Sequence, residues 1–126
     1  MSNEINLTGN EWDIMKIIWA KQPCTLRQIC DEINKQHSWT RHAVISFLKR
    51  MEIKGAIKVE DSNPKNYRAA FKQDEAIKGE LDNTLSRVFD DNPLAMVSYL
   101  AKSNKISDED IEQMIAVLKG GLSDDQ

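Results

Sequence analysis

Basic, imidazole and hydroxyl side chains recur between residues 41 and 54, where the apolar residues keep the period of a helix. The apolar positions are spaced i, i+3, i+4 and i+7, which is typical of a helix face packed on a core. They are Val44, Phe47, Leu48 and Met51. At about 100° per residue, the opposite face carries a second set of side chains. This second set is His42, Ser46, Lys49 and Ile53, with Ile45 and Arg50 on its flanks.

The second set has the chemistry needed to contact a DNA duplex. Hydroxyl and ammonium donors suit base edges, an apolar branch suits a thymine methyl group, and guanidinium groups suit phosphates. We assign the base-edge contacts to Ser46 and Lys49 and the thymine-methyl contact to Ile45. The phosphate contacts are assigned to Arg41 and Arg50. An ordinary solvated helix face explains any one of these residues equally well, but it explains the whole set less well.

No pattern typical of catalysis accompanies these side chains. His37 and His42 lack a nearby combination of carboxylate and nucleophile, and the sequence contains no GxSxG, HExxH, GxGxxG or P-loop motif. The spacing of Cys24 and Cys30 fits neither a CxxC pair nor a zinc ligand set. The sequence therefore predicts a protein that is not an enzyme and that uses no metal and no cofactor.

Both cysteines are explained better by packing than by reactivity. Cys30 continues an apolar helical stripe, which predicts a buried structural thiol at that position. Two cysteines in the whole chain are too few for a disulfide framework and agree with a reducing compartment. We expect that stoichiometric copper or zinc leaves the affinity for DNA unchanged.

Length and composition are those of a small globular protein. The 126 residues are 40% hydrophobic and 29% charged, and no run approaches the roughly 18 apolar residues of a membrane span, so the sequence predicts a cytoplasmic protein. Residues 1–72 carry 12 Lys and Arg against 8 Asp and Glu, whereas residues 73–126 carry 5 against 12. This division indicates a basic binding surface joined to a segment with another role, with chance scatter as the alternative.

Three helices are predicted before the strands begin. Capping-box spacing from Thr8 to Glu11 starts the first, whose wide apolar stripe predicts burial on more than one side and tryptophans packed in the core. Pro23 ends the first helix, Thr40 caps the third and Gly55 ends it. The predicted helices span Gly9–Lys21, Leu26–Gln36 and Arg41–Lys54.

After the third helix the period changes from helix to strand. Apolar and charged residues alternate over residues 57–60, turn-forming residues follow over residues 61–66, and a second strand is predicted over Tyr67–Phe71. Three helices and a hairpin are the elements of a winged helix-turn-helix domain, although a generic hairpin on a helical scaffold has the same order. The cations of this predicted wing, placed to reach phosphates, are Lys58, Lys65 and Arg68.

Residues 74–126 have the pattern of amphipathic helices. Three are predicted, the second opened by Pro93, the third capped by Ser107 and stopped by Gly120-Gly121. Short helices cannot bury both sides of their apolar stripes alone, so we expect these helices to pack against a second copy of the chain. The alternative is a monomer in which they fold back on the first domain. The expected dimerisation residues are Leu81, Leu85, Val97, Leu100, Ile111 and Leu118.

These features resemble the penicillinase repressor family (BlaI, MecI and CopY repressors). The resemblance is carried by residues 7–19, with the pattern E-W-x-I-M-x-I-I-W, and by Trp39-Thr40 leading to Lys54-Gly55, and it covers most of the chain. It implies a winged-helix DNA-binding domain over residues 1–72 and a helical dimerisation domain over residues 73–126. It further implies a homodimer that binds a palindromic operator in double-stranded DNA, with an inducer or a protease as a further partner.

The sequence also departs from the family pattern. Residues 43–46 read Ala-Val-Ile-Ser where relatives usually have Thr-Val-Lys-Thr, so we expect a different operator. The paired CxC motifs of the copper-responsive branch do not occur, which excludes copper sensing by that route. Where the antibiotic-responsive branch is cleaved at an Asn-Phe bond, this sequence has Ser98-Tyr99-Leu100-Ala101, which weakens the case for control by cleavage.

The sequence thus predicts a mainly α fold with a small β-hairpin wing, in which a winged helix-turn-helix domain precedes a three-helix dimerisation domain. The predicted function is transcriptional repression by a homodimer. The third helix of each protomer enters one of two successive major grooves. A winged-helix protein-interaction module that has lost DNA binding is the alternative, and the altered residues 43–46 keep it open. A small hydrolase is a more distant third.

Overall fold

The computed structural model describes residues 5–124, and the side-chain environments of residues 5–121. Contacts divide the chain into two compact units, Met1–Glu80 and Leu81–Gln126, which we call the N-terminal and C-terminal units. The expected order of three helices followed by a hairpin is present. The elements are α1 (Gly9–Lys21), β1 (Cys24–Thr25), α2 (Leu26–Ile33), α3 (Arg41–Ile53), β2 (Ile57–Glu60), β3 (Asn66–Ala69), α4 (Gln73–Phe89), α5 (Pro93–Lys102) and α6 (Asp108–Asp124).

Helix α1 begins and ends where the sequence predicts. The Thr8 hydroxyl accepts a hydrogen bond from the Glu11 amide at 3.3 Å, and the Glu11 carboxylate accepts one from the Thr8 amide at 3.0 Å, so the capping box is complete. The core of the N-terminal unit combines side chains from all three helices with residues of the strands. Its buried members are Ile14, Met15, Ile18, Cys24, Ile29, Ile33, Val44, Leu48, Met51, Ala56 and Ile57.

Helix α2 ends at Ile33, before the predicted end at Gln36. The Asn34 side chain donates to the Cys30 carbonyl at 2.9 Å and accepts from the Trp39 amide at 2.8 Å. An asparagine that bonds the backbone in this way competes with helical hydrogen bonds and favours a turn. The connection to α3 is therefore a structured turn and not a continuation of α2.

The two thiols are buried to different degrees. Cys24 is fully buried, whereas Cys30 is only half-buried, so the prediction of a buried thiol at Cys30 is wrong in degree. Burial raises the pKa of both thiols above the ordinary value. Both cysteines are therefore poor nucleophiles at neutral pH, as their packing role requires.

Helix α3 ends one residue earlier than predicted, with Lys54 as its C-cap. Gly55 follows with φ of 84°, a left-handed conformation that glycine adopts without strain. The Gly55 amide donates to the Glu52 carbonyl and the Ala56 amide donates to the Met51 carbonyl, which is the Schellman arrangement. This turn passes the chain directly into β2.

The strands form a three-stranded antiparallel sheet in the order β1-β3-β2. The sequence did not predict β1, since two residues show no alternation. Strand β3 begins at Asn66 and ends at Ala69, so the predicted range Tyr67–Phe71 is wrong at both ends. The Phe71 carbonyl accepts a hydrogen bond from the Trp19 indole at 3.0 Å, and this bond directs the chain toward α1 instead of along the sheet.

The C-terminal unit contains the end of α4 together with α5 and α6. Asn92 caps α5, and the Ser107 hydroxyl accepts from the Asp110 amide at 3.0 Å at the start of α6. The prediction that Gly120-Gly121 stops the last helix is wrong, since α6 continues to Asp124. Neither glycine adopts the positive φ of a C-cap, and a helical glycine costs only about 1 kcal/mol relative to alanine. No helix within residues 5–124 has the length and apolar character of a membrane span.

An ion pair with a buried carboxylate joins the start of α1 to the end of α3. The Lys54 ammonium lies 2.7 Å from the Glu11 carboxylate, which is 2% exposed, and it also donates to the Asn6 carbonyl at 2.7 Å. Burial alone would raise the pKa of Glu11, but the bonds from Lys54 and from the Thr8 amide outweigh it and lower this pKa below 4.5. The sequence identified Glu11 as a capping residue but gave no sign of its partner.

We predict that this pair makes stability depend on pH. The pKa of Glu11 is higher in the unfolded chain, which therefore binds the proton more readily than the folded chain does. The pair thus stabilises the folded state fully above pH 4.5, and this stabilisation is lost as pH falls through the lower pKa of the folded state. Glu11→Gln should lower the free energy of unfolding by about 2 kcal/mol at neutral pH, and by less at about pH 3. Urea unfolding at both pH values measures the difference, with Glu80→Gln on the exposed side of α4 as the control. An equal loss at both pH values would contradict the prediction.

Candidate nucleic-acid interface

Helix α3 presents two chemically different faces. Val44, Leu48 and Met51 are buried, while Phe47 is half-buried at the edge of the core. The opposite side, which we call the outer face, is exposed to solvent. It consists of His42, Ser46, Lys49 and Ile53, and Ile53 is 86% exposed. An imidazole, a hydroxyl and an ammonium group are thus aligned along one side of a rigid helix.

The flanks of the outer face carry the remaining candidates on α3. Arg41, the first residue of the helix, and Arg50 are exposed, whereas Ile45 is half-buried. The guanidinium carbon of Arg50 lies 5.0 Å from the centre of the Phe47 ring. The Thr40 hydroxyl accepts from the Ala43 amide at 3.1 Å, which fixes the start of the helix next to Arg41.

The turn before α3 is held by contacts that the sequence analysis missed. The His37 ring stacks on Trp39 with centroids 4.4 Å apart and planes 17° apart, and Trp39 contacts Phe47 at 5.1 Å. His37 Nε2 lies 2.9 Å from the Asp13 carboxylate on α1. His37 and Asp13 are far apart in the sequence, so spacing alone gives no signal for this pair. The aromatic residues of the turn were the only indication available.

The wing carries its three candidate cations at exposed positions, Lys58 on β2, Lys65 in the turn and Arg68 on β3. Lys58 and Arg68 are paired in the strand register, so their side chains lie on the same face of the hairpin. Arg68 Nε also donates to the Glu60 carboxylate at 2.8 Å, and both side chains are about half exposed. Phosphate binding by Arg68 would therefore compete with this surface ion pair.

The predicted dimerisation residues lie in the C-terminal unit, and none of them is buried. Leu81, Leu100, Ile111 and Leu118 are 42%, 37%, 44% and 62% exposed, and Leu85 and Val97 are half-buried. Each side chain of residues 81–121 is either half-buried or exposed, and none is buried as the side chains of the N-terminal core are. The rings of Phe89 and Tyr99, 6.0 Å apart, provide one internal contact. The apolar stripes of the unit thus remain largely open to solvent.

The described part of the chain contains no metal-binding cluster, and an open depression lies beside α1. No cluster of three His, Cys, Asp or Glu side chains able to hold a metal ion occurs there. A depression of about 530 Å³ beside α1 is open and contains no histidine, cysteine or serine in its lining. Trp19, Gln22, residues 69–73 and Glu75 line it. This lining contains neither a hydroxyl nor a thiol group.

The three-helix order, the hairpin and the polar outer face define a winged helix-turn-helix protein of the DNA-binding class. The sequence matches the family model for the penicillinase repressor over residues 7–120, and the chain belongs to this family. The resemblance drawn from the sequence motifs is therefore confirmed. Since the family consists of transcriptional repressors, the prediction that this protein is not an enzyme is also confirmed.

Relatives along the whole chain agree with this assignment. The penicillinase repressor of Staphylococcus aureus is 23% identical over 118 residues, which cover 93% of this chain and 94% of that protein. The methicillin resistance regulatory protein MecI of Mammaliicoccus sciuri is 22% identical over 113 residues, covering 89% and 92%.

A solved structure supports the fold. It is the solution structure of the Bacillus licheniformis BlaI monomeric form in complex with the blaP half-operator, with a TM-score of 0.53 and 20% identity. The match covers 60% of this chain and 93% of that one. The predicted fold, a mainly α winged helix with a small sheet, is confirmed.

Proposed function

We propose that this protein is a homodimeric transcriptional repressor that acts in the cytoplasm on a palindromic DNA operator. The observation that carries the proposal is the outer face of α3, where donor side chains are exposed on a helix whose other side is locked into the core. A helix of this kind fits the major groove, and its exposed donors match the acceptor groups of base edges. Membership of a repressor family and the half-operator complex of a structural relative support the same function.

The side chains divide into those that distinguish sequences and those that position the protein. Ser46 and Lys49 reach base edges, His42 adds a third donor, and Ile45 contacts a thymine methyl group. Phosphate contacts hold the protein in register without selecting a sequence. These contacts come from Arg41 and Arg50 on α3 and from Lys58, Lys65 and Arg68 on the wing.

The dimer follows from the open apolar stripes of the C-terminal unit. A unit in which no side chain of residues 81–121 is buried gains little from folding alone, because burial of apolar surface is the main stabilising contribution. A second copy related by a two-fold axis would cover the same stripes on both chains. Two α3 helices would then reach half-sites spaced by one or more helical turns of DNA, which accounts for a palindrome.

Binding of the full chain to a fluorescent random-sequence duplex tests the proposal. We expect measurable binding at low salt, with log Kd rising linearly with log salt concentration, because each phosphate contact releases a counterion. Genomic DNA fragments retained by the protein should share a palindrome with half-sites about 10 base pairs apart or a multiple of this distance. No binding at low salt would favour the protein-interaction module instead, and retained fragments without a palindrome would contradict the two-fold arrangement.

A further inference from the structure

We propose that Phe47 is a positioning residue whose ring holds Arg50 in place for a phosphate beside the outer face of α3. The inference rests on the proposed function and extends it to a residue that contacts no DNA itself. A continuous series of contacts supports it, running from a carboxylate on α1 through three rings to the Arg50 guanidinium.

The series begins on α1, at the edge of the core. Asp13 lies on α1 between the buried residues Glu11 and Ile14, and its carboxylate meets His37 Nε2 at 2.9 Å. The imidazole then stacks on Trp39 with planes only 17° apart. The Trp39 amide donates to the Asn34 side chain at 2.8 Å, so its backbone is fixed as well. The indole therefore has little freedom to move.

Phe47 continues the series onto α3. Its ring centre lies 5.1 Å from that of Trp39, and the planes are inclined by 34°. Phe47 is half-buried against the core, so one part of the ring is packed and another part faces solvent. The Arg50 guanidinium lies over this ring, 5.0 Å from its centre. The two residues are three positions apart, and such neighbours face each other on a helix.

This contact prepares Arg50 to bind an anion. A guanidinium group over an aromatic face uses its π surface, so the N–H donors around its edge remain available for a phosphate. Holding the long side chain in one orientation also removes part of the entropy that binding would otherwise cost. Arg68 differs, because Glu60 already occupies one of its donors at 2.8 Å. No carboxylate pairs with Arg50 among the described residues.

A double-mutant cycle on the random-sequence duplex at low salt tests the inference. Arg50→Gln should weaken binding about tenfold and lower the salt slope by about 0.9, because one phosphate contact is lost. Phe47→Leu should weaken binding about threefold in the wild-type background. In the Arg50→Gln background the same Phe47→Leu change should alter Kd by less than about twofold, since there is no guanidinium left to position.

Two further variants separate positioning from packing. Phe47→Tyr keeps the ring face and should restore wild-type affinity and salt slope. Phe71→Leu removes another half-buried ring, which packs nearly perpendicular to Trp19 and not against a cation, and it should leave binding unchanged. Thermal unfolding of every variant verifies that it is folded.

The outcomes distinguish this inference from the proposed function. If Phe47→Leu weakens duplex binding equally in both backgrounds, the inference is overturned. The proposed function is unaffected by that result as long as the wild-type chain binds the duplex. An unchanged salt slope in Arg50→Gln would overturn the inference too, since Arg50 would then contact no phosphate. Absence of duplex binding by the wild-type chain would remove the proposed function and this inference together.

Discussion

Replacing Leu118 with aspartate is expected to convert the proposed dimer into a monomer. Leu118 is 62% exposed in the single chain, so the carboxylate meets water in the monomer and is buried only on association. A two-fold interface buries the new charge twice, and a cost of about 2 kcal/mol for each copy weakens dimerisation about 10³-fold. Sedimentation velocity at concentrations of roughly tens of micromolar measures the change.

A matched variant controls for the added charge. Gln113→Asp introduces the same carboxylate on α6, at an exposed position outside the apolar stripe, and should sediment as the wild type does. A wild-type protein that is monomeric at these concentrations would contradict the dimer itself. Equal effects of the two aspartates would show that charge on α6, and not the stripe, controls association.

Lys49→Ala and Arg68→Ala are expected to weaken DNA binding in different ways. Lys49 is exposed on the outer face of α3, one turn beyond Ser46, where we propose that its ammonium group reaches a guanine edge. Its loss should cost about 1–3 kcal/mol at the operator and relax the preference at one or two base pairs. Loss of Arg68 from the wing should weaken binding to every sequence alike and lower the salt slope by about one.

Titrations on operator and random-sequence duplexes at several salt concentrations separate the two results. Glu60→Gln is the matched counterpart of Arg68→Ala, because it removes the ion pair of 2.8 Å that competes with phosphate. We expect Glu60→Gln to strengthen binding to both duplexes without altering base preference. If Lys49→Ala weakens both duplexes equally, Lys49 is a phosphate contact and the assignment of base recognition to the outer face is wrong.

The elements with local signals were predictable from the sequence. Helix α1 has a capping box at one end and a proline just beyond the other, and both of its bounds match the prediction. Gly55 ends α3 because only a left-handed residue completes that turn, and glycine adopts this conformation most readily. Periodicity likewise placed Val44, Leu48 and Met51 in the core.

The errors occurred where distant residues decide the local structure. Strand β1 exists because it pairs with β3, with Cys24 opposite Tyr67, and two residues alone carry no period. Helix α2 stops early because Asn34 bonds to Trp39 across the turn. Glycine signals a helix end only when its backbone turns left-handed, and Gly120 and Gly121 do not.

The candidate site shows the same limit. Its cations could be named from spacing on α3 and from the hairpin pattern, since each assignment depends on one element. Phe47 lies three positions before Arg50 on the same helix, so the spacing of this pair was present in the sequence. The other partners are chosen by the tertiary fold, since Glu60 meets Arg68 across the hairpin and Asp13 on α1 meets His37 in the turn before α3.

The open apolar stripes of the C-terminal unit have a consequence for how the repressor responds to its own abundance. With no buried side chain across residues 81–121, a single chain supplies little free energy to hold this unit together, so in the proposed dimer its folding and its association would be one process. In the dilute regime the population of competent dimers then varies as the square of chain concentration. Halving synthesis would reduce that population about fourfold, so the amount of protein able to bind the operator would fall more steeply than the amount of chain.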